Sequence, residues 1–120
     1  MEEVLKALRD LLVKAERVAA LTGAGISAES GVTTFRGADG LWRNHSVMEL
    51  ATLTAFARNP DLVWEFYNWR RGRISGLNFN SGHRALVELE RRLPQFTLIT
   101  QNVDGLHLKA GSKNLLENWP

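Results

Sequence analysis

The order of hydrophobic and polar residues divides the chain into helices and two short apolar strands. Hydrophobic residues recur every three or four positions from Val4 to Ala15, which predicts an amphipathic helix of about 3.5 turns. The segment Arg17–Thr22 (RVAALT) is apolar and stops at Gly23, a pattern typical of a buried strand. A second apolar run, Gln95–Asn102 (QFTLITQN), predicts another strand that ends in polar residues.

Capping residues predict three helices between the two strands. Ser and Asn commonly precede a helix because their side-chain oxygens accept hydrogen bonds from its first free amides, and Pro suits the first helical position. The predicted helices are 47–57 after Ser46, 60–74 after Asn59, and a helix that starts at Asn80 or Ser81 and stops before Pro94.

Two apolar strands that are joined by a long helical crossover predict a parallel pair. We therefore expect an α/β fold, part of a doubly wound, Rossmann-like parallel sheet, with residues 1–120 in one domain. Ligands of such sheets bind outside the carboxyl ends of the strands. The loops that follow Thr22 and Thr100 both lie there, so we expect the functional site between them.

Composition excludes several classes of protein. The chain has no cysteine, which excludes disulfides and thiolate metal sites within these residues, and its three histidines lack metal-ligand spacing. The N-terminus is charged, and no apolar run approaches the roughly 20 residues of a membrane span. We expect a cytoplasmic protein with no membrane contact. The basic cluster Arg70–Arg73 is typical of a solvated helix face, so no specific nucleic-acid partner is expected.

The loop after the first strand, GAGISA, matches the G-x-G-x-x-G/A pattern of dinucleotide-binding proteins. Gly23 permits a tight turn, Gly25 lets the main chain approach a pyrophosphate, and Ala28 keeps the next turn close to the sheet. Small residues also serve plain strand-to-helix packing, which is the alternative explanation. The acidic ribose ligand expected about 20 residues further on is not clear, Glu49 being a candidate by distance only, which argues against an ordinary dehydrogenase.

Two longer motifs make the pattern more specific. Residues 23–37 (GAGISAESGVTTFRG) and 100–107 (TQNVDGLH) resemble the sirtuins, which are NAD-dependent protein-lysine deacylases. Residues 80–86 (NSGHRAL) and 110–112 (AGS) are supporting matches. The resemblance covers essentially the whole chain but only the first half or so of a sirtuin catalytic domain.

The resemblance implies NAD as cofactor, acyl-lysine proteins as substrates, and transfer of the acyl group to ADP-ribose with release of nicotinamide. Asn102 is the implied catalytic residue, with Asp104 beside it in the nicotinamide and ribose pocket. An amide can both donate and accept hydrogen bonds, and a carboxylate accepts them. The implied cofactor-binding residues are Gly23, Ala24, Gly25, Ile26 and Ser27 at the diphosphate, Phe35 and Arg36 over the cofactor, Trp42, and Gln101, Asn102 and Asp104.

Tyr67 and Arg70 suggest the kind of acyl group. They are three residues apart on a predicted helix, so both side chains can face one side. In the sirtuin branch that removes succinyl, malonyl and glutaryl groups, a Tyr-x-x-Arg pair binds the acyl carboxylate, and Arg can grip a carboxylate with two hydrogen bonds. The alternative is an aromatic core stripe with a solvated basic edge.

The chain also departs from the sirtuin pattern. Trp119 stands where sirtuins have the general-base histidine, and an indole cannot accept a proton. His45, His83 and His107 are expected to have structural roles. The cysteine zinc module and the later strands are absent, so we expect a truncated or frame-altered sirtuin with little or no turnover. A non-catalytic NAD-binding module and a non-functional fragment remain the alternatives, and the oligomeric state is open.

Overall fold

A computed structural model describes residues 1–34 and 41–118 of the chain. The predictions for Phe35, Arg36 and Trp119 lie outside these residues. In chain order, the helices are α1 Glu2–Lys14, α2 Ala24–Ser27, α3 Val47–Leu50, α4 Leu53–Arg58, α5 Pro60–Ser75, α6 Ser81–Arg92 and α7 Leu106–Ala110; a 3₁₀ turn spans Ala28–Ser30. The strands are β1 Arg17–Thr22, β2 Leu41–Trp42, β3 His45–Ser46, β4 Gln95–Thr100 and β5 Leu115–Glu117.

The predicted parallel pair is confirmed, with Thr22 at the end of β1 aligned with Thr100 at the end of β4. The expectation of only two strands is wrong, because β5 pairs in parallel with the other edge of β4, giving the order β1–β4–β5. Three residues are too few to show a strand pattern. Polar contacts hold β5 instead: Asn114 Nδ2 donates to the carbonyl of Phe96, and the Glu90 carboxylate accepts from the Asn114 amide.

The two faces of the parallel sheet differ in burial. On the face toward α6, the β4 residues Phe96, Leu98 and Thr100 are buried. On the other face, Leu21, Ile99 and Leu116 lie side by side across the three strands, and Leu21 and Leu116 are exposed. The predicted first helix is confirmed as α1, but none of its residues is buried.

The segment between the two strands forms a helical layer with its own core. Trp42, Val47, Leu50 and Phe66 are buried together, and the rings of Trp42 and Phe66 meet edge to face at 5.4 Å. The predicted helix 47–57 is instead two helices, α3 and α4. The break occurs because Thr52 Oγ1 accepts a hydrogen bond from the Ala55 amide and so begins a new helix.

Asparagine caps begin α5 and α6, as the sequence predicts. Asn59 Oδ1 accepts from the Leu62 amide, and Asn80 Oδ1 accepts from the Gly82 amide. The His83 ring adds a reciprocal bond, since its Nδ1 accepts from the Asn80 amide at 3.1 Å. This second bond ties the first turn of α6 more firmly than an Asn cap alone. Within residues 1–34 and 41–118, no helix combines the length and apolar character that crossing a membrane requires.

Phe66→Ala tests the core of the helical layer. Phe66 is fully buried, so we expect the variant to lose about 3–5 kcal/mol in the free energy of unfolding, measured by urea denaturation followed by circular dichroism. Trp64→Ala, on the same helix but 54% exposed, is the control and should change that energy by less than about 1 kcal/mol. Equal losses in the two variants would show that the assigned core is wrong.

Candidate functional site

The loops that follow β1 and β4 meet in one cavity at the carboxyl ends of the strands. Its volume is about 280 Å³. Three groups of residues line it: Ala24 from the glycine loop with Val32 and Thr33 beyond it, Arg70 from α5, and Gln101, Asn102, Val103 and Asp104 after β4. Ala24, Gln101, Asn102 and Asp104 are residues that the sequence predicted at a shared site, so the structure brings these four together.

Asn102 joins the two loops through both its side chain and its main chain. Its Nδ2 donates to the carbonyl of Gly23 at 2.9 Å and lies 3.5 Å from Ser27 Oγ. Its backbone amide donates to Thr100 Oγ1 at 3.1 Å. Asn102 is therefore held on three sides, and its side-chain oxygen keeps its capacity to accept a hydrogen bond.

Ser27 lies beneath the cavity and does not line it. The sequence analysis assigns the loop that ends at Ser27 to a diphosphate; in the structure Ser27 is fully buried and its Oγ lies 3.2 Å from His83 Nε2. Because His83 Nδ1 accepts from the Asn80 amide, the neutral ring carries its proton on Nε2 and donates to Ser27. Ser27 therefore supports the loop from within.

The N-terminus of α6 fastens the glycine loop. Asn80 Nδ2 donates to the carbonyl of Ile26 at 2.7 Å and to Ser30 Oγ at 3.0 Å. A Cβ at Gly82 would lie 3.2 Å from Ile26 Cγ1 and 3.0 Å from Asn80 Oδ1, so glycine lets the two segments pack closely without displacing these side chains. The function of Gly82 was not predicted, although the motif NSGH already marked the segment.

The two glycines of the loop face different surroundings. A Cβ at Gly23 would lie 3.4 Å from Gln101 Oε1, which shows how closely the two loops approach. A Cβ at Gly25 would meet no atom within 4 Å among the described residues. The open space at Gly25 is compatible with the close approach of a ligand to the backbone that the sequence predicts.

Two buried histidines lie beneath the site. His83 and His107 pack edge to face with ring centroids 4.9 Å apart, and His107 Nε2 lies 2.8 Å from Thr22 Oγ1. Burial lowers the pKa of His83, which the charge of Asp104 partly opposes. Burial also lowers the pKa of His107; the neighbouring His83 adds to this lowering, and Asp104 opposes it. Both rings are therefore neutral at pH 7.

Asp104 has a local role as well as a place in the cavity. Its Oδ1 accepts from the Leu106 amide at 3.0 Å, and this bond orders the start of α7. The preceding turn passes through Gly105 with φ of +71°, a conformation that favours glycine. The turn role and the cavity role are compatible, because a carboxylate has several acceptor positions.

Tyr67 and Arg70 line a second cavity next to the first. Its volume is about 230 Å³, and its other lining residues are Arg71, Ile74, Ser75 and Val103. Arg70 and Val103 line both cavities, so the two are adjacent. The predicted Tyr–Arg pair therefore faces one side of α5, next to the loop that follows β4.

Some predicted residues lie elsewhere. Trp42, predicted to bind the cofactor, lies in the hydrophobic core, where it packs between Phe66 and Trp69 and lies beneath the Arg43 guanidinium. Glu49, the candidate ribose ligand by distance only, lines a separate groove of about 760 Å³ along α3, α4 and α5. In the part of the chain that the structure describes, no group of three or more His, Asp or Glu side chains could hold a metal ion.

Comparisons with known proteins agree with the fold and the motifs. A model of the Sir2 family matches residues 23–119. An NAD-dependent protein deacylase of Leptospira interrogans (strain Fiocruz L1-130) is 57% identical over 98% of the chain, and one of Aquifex aeolicus (strain VF5) is 58% identical over 83%. The chain spans only 46% and 42% of the lengths of these two relatives.

Solved structures give the same result. A Sir2 homologue in complex with NAD has a TM-score of 0.85 and 46% identity over 93% of the chain and 44% of its own. A mutant Sir2 homologue in complex with 2′-O-acetyl ADP ribose has a TM-score of 0.87 and 48% identity, over 92% of the chain and 45% of its own. The partial doubly wound fold is therefore confirmed.

The buried histidines make stability depend on pH. Their pKa values are lower in the folded than in the unfolded chain, where about 6.5 is expected, so the unfolded chain binds protons more readily. We expect the free energy of unfolding to be highest above pH 6.5 and to fall as the pH decreases below it, measured by urea denaturation between pH 5 and 8. The variant His45→Gln, at an exposed position, should keep this dependence. A flat profile across this range would contradict the expectation.

Proposed function

Because the chain belongs to the Sir2 family, we propose that it is the N-terminal part of an NAD-dependent protein-lysine deacylase, which transfers an acyl group from lysine to ADP-ribose and releases nicotinamide. The observation that supports this proposal most is the cavity that the glycine loop and the loop after β4 share. A cytoplasmic location belongs to the same proposal.

The residues around the cavity fit the polar groups of NAD. Gln101 and Asn102 offer amides that donate and accept hydrogen bonds, and Asp104 offers a carboxylate that can accept from the nicotinamide carboxamide. Among the described residues, none blocks the approach of a diphosphate to the backbone at Gly25. When bound, NAD would supply the ribose that accepts the acyl group, with nicotinamide as the leaving group. Gly23, Ala24 and Ile26 shape the loop, and Phe35 and Arg36 are proposed to cover the cofactor.

Asn102 is the proposed catalytic residue. Its side-chain nitrogen donates to the carbonyl of Gly23, which fixes the orientation of the amide. Its oxygen can then accept from a ribose hydroxyl or a water. A group that is fixed before the reaction stabilises developing charge without reorganisation in the transition state. The bonds to Gly23 and Thr100 fix Asn102 in this way.

We propose that this chain by itself deacylates lysine weakly or not at all. The alternative is that it is a non-catalytic NAD-binding module. His83 and His107 are both buried, and the Nε2 atom of each is engaged by a hydroxyl group. Neither is positioned to take a proton from a ribose hydroxyl, and the resemblance to sirtuins implies Trp119 in place of the family's histidine. Deacylation of succinyl-lysine and acetyl-lysine peptides at the rate of a full-length relative would contradict the expectation of weak turnover.

Acidic acyl groups are the proposed substrates. The cavity of Tyr67 and Arg70 adjoins the one proposed for NAD, and Arg70 borders both. A carboxylate at the end of a succinyl, malonyl or glutaryl chain could therefore reach the guanidinium while the acyl carbonyl faces the neighbouring cavity. One related solved structure contains a deacetylated peptide together with 3′-O-acetyl ADP ribose, as expected for an acyl-lysine protein partner.

Asp104→Asn tests NAD binding at this cavity. The change keeps an oxygen for the Leu106 amide but removes the charge, so we expect the affinity for NAD, measured by calorimetry, to fall about tenfold, the order expected for one charge-assisted hydrogen bond. Asp10→Asn on the exposed helix α1 is the matched control and should leave the affinity unchanged. The absence of both heat and a thermal shift at millimolar NAD would exclude the proposal.

Arg70→Gln tests the acyl preference. In the presence of NAD, we expect the affinity for a succinyl-lysine peptide, measured by fluorescence polarisation, to fall at least about tenfold, because a charge-assisted hydrogen bond contributes roughly 1.5–3 kcal/mol. Tyr67→Phe should cause a smaller loss, and Arg73→Gln, on the same helix but outside this cavity, should cause none. Binding of the acetyl-lysine peptide should not change. An equal loss for both peptides would mean that Arg70 does not read the carboxylate.

A further inference from the structure

A chain of hydrogen bonds connects a buried histidine to the backbone of Asn102. His107 Nε2 lies 2.8 Å from Thr22 Oγ1, and Thr22 Oγ1 donates to Thr100 Oγ1, also at 2.8 Å. Thr100 Oγ1 in turn accepts from the Asn102 amide at 3.1 Å. The chain therefore crosses from α7 through the ends of β1 and β4 to the loop that lines the cavity.

Two features of the bond pattern favour a proton on His107 Nε2. When Thr22 donates its hydroxyl proton to Thr100, Thr22 can only accept from His107, and Nε2 is then the donor. His107 Nδ1 is buried and has no hydrogen-bond partner among residues 1–34 and 41–118. A proton on Nδ1 would be an unpaired buried donor, which costs about 1–3 kcal/mol, so burial favours the same tautomer.

We propose that His107 is a positioning residue of the site: its Nε2–H orients the hydroxyls of Thr22 and Thr100, which fix the Asn102 amide and thereby its side chain. His107 does not touch the cavity itself, since it is 2% exposed and the lining residues do not include it. Its effect passes through the two threonines. The inference rests on the proposed function only for the identity of the ligand.

Burial of this polar chain is otherwise difficult to explain. Thr100 and His107 are buried and Thr22 is partly buried. Apolar residues of similar shape at these positions would pack equally well without the desolvation cost of three polar groups. The polar groups instead lie in register, since Thr22 and Thr100 are direct partners across β1 and β4. This register places both hydroxyls at the point where the two loops begin.

Two pairs of variants separate positioning from packing. Thr22→Val keeps the shape and removes the hydroxyl, whereas Thr22→Ser keeps the hydroxyl. His107→Leu removes the donor, whereas His107→Gln keeps an N–H donor that can reach Thr22. The readout is hydrogen exchange of the Asn102 amide by NMR, compared with the Leu98 amide, which is bound to the carbonyl of Asn114 within the sheet.

We expect Asn102 exchange to accelerate about tenfold relative to Leu98 in Thr22→Val and His107→Leu, the size expected for one lost hydrogen bond, and to stay within about twofold in Thr22→Ser and His107→Gln. Unchanged Asn102 exchange in Thr22→Val would overturn the proposal, and so would an equal acceleration at Leu98. If His107→Leu does not fold, the two Thr22 variants decide alone.

Nitrogen-15 shifts of the His107 ring should show a protonated Nε2 and a bare Nδ1, and the opposite tautomer would also overturn the proposal.

The affinity for NAD, measured by calorimetry, extends the test to the ligand. We expect Thr22→Val to weaken NAD binding about tenfold and Thr22→Ser to leave it within about twofold, in parallel with the changes expected in Asn102 exchange. If the parent chain binds no NAD, the proposed function fails, and the exchange experiment still decides the role of His107. If NAD binds the parent and Thr22→Val equally well, the positioning proposal fails and the function stands.

Discussion

The hydrogen bond from Asn102 Nδ2 to the carbonyl of Gly23 holds the two strand-end loops at a fixed separation. Parallel pairing of β1 and β4 aligns Thr22 with Thr100 and so brings the ends of the strands together. Pairing alone does not orient the residues beyond those ends, since loop residues have no ladder partners. The Asn102 side chain supplies the missing connection, and the cavity between Ala24 and Asp104 exists because the loops meet there.

Other polar groups also hold the two strand-end loops in place. His83 donates to Ser27, and Asn80 donates to the carbonyl of Ile26, so the first turn of α6 holds the glycine loop from one side. The threonine pair at the ends of the strands holds Asn102 from the other. His83 must be neutral for its Nδ1 to accept from the Asn80 amide, and burial favours the neutral form of both rings. These polar residues therefore all help to hold the glycine loop and the loop after β4 together.

The sequence predicted the elements whose signal is local. Periodicity gave α1, β1 and β4, and Asn59 and Asn80 correctly marked the starts of α5 and α6. Features that depend on distant contacts were missed: β5 depends on Asn114 and Glu90, and the core around Trp42 depends on α5. The motifs located the cavity, but they could not show that Ser27 points inward, because the ring of His83 that receives it is 56 residues away in the sequence.

The row of Leu21, Ile99 and Leu116, in which the two leucines are exposed and Ile99 is half-buried, has a thermodynamic consequence, as does the uncovered stripe of α1. The heat capacity increment of unfolding follows mainly from the apolar surface that becomes hydrated, about 12–15 cal/mol/K per residue for ordinary domains. Apolar groups that are already hydrated in the native state add nothing to it. This chain should therefore have a smaller increment than its length suggests, and consequently a flatter curve of stability against temperature.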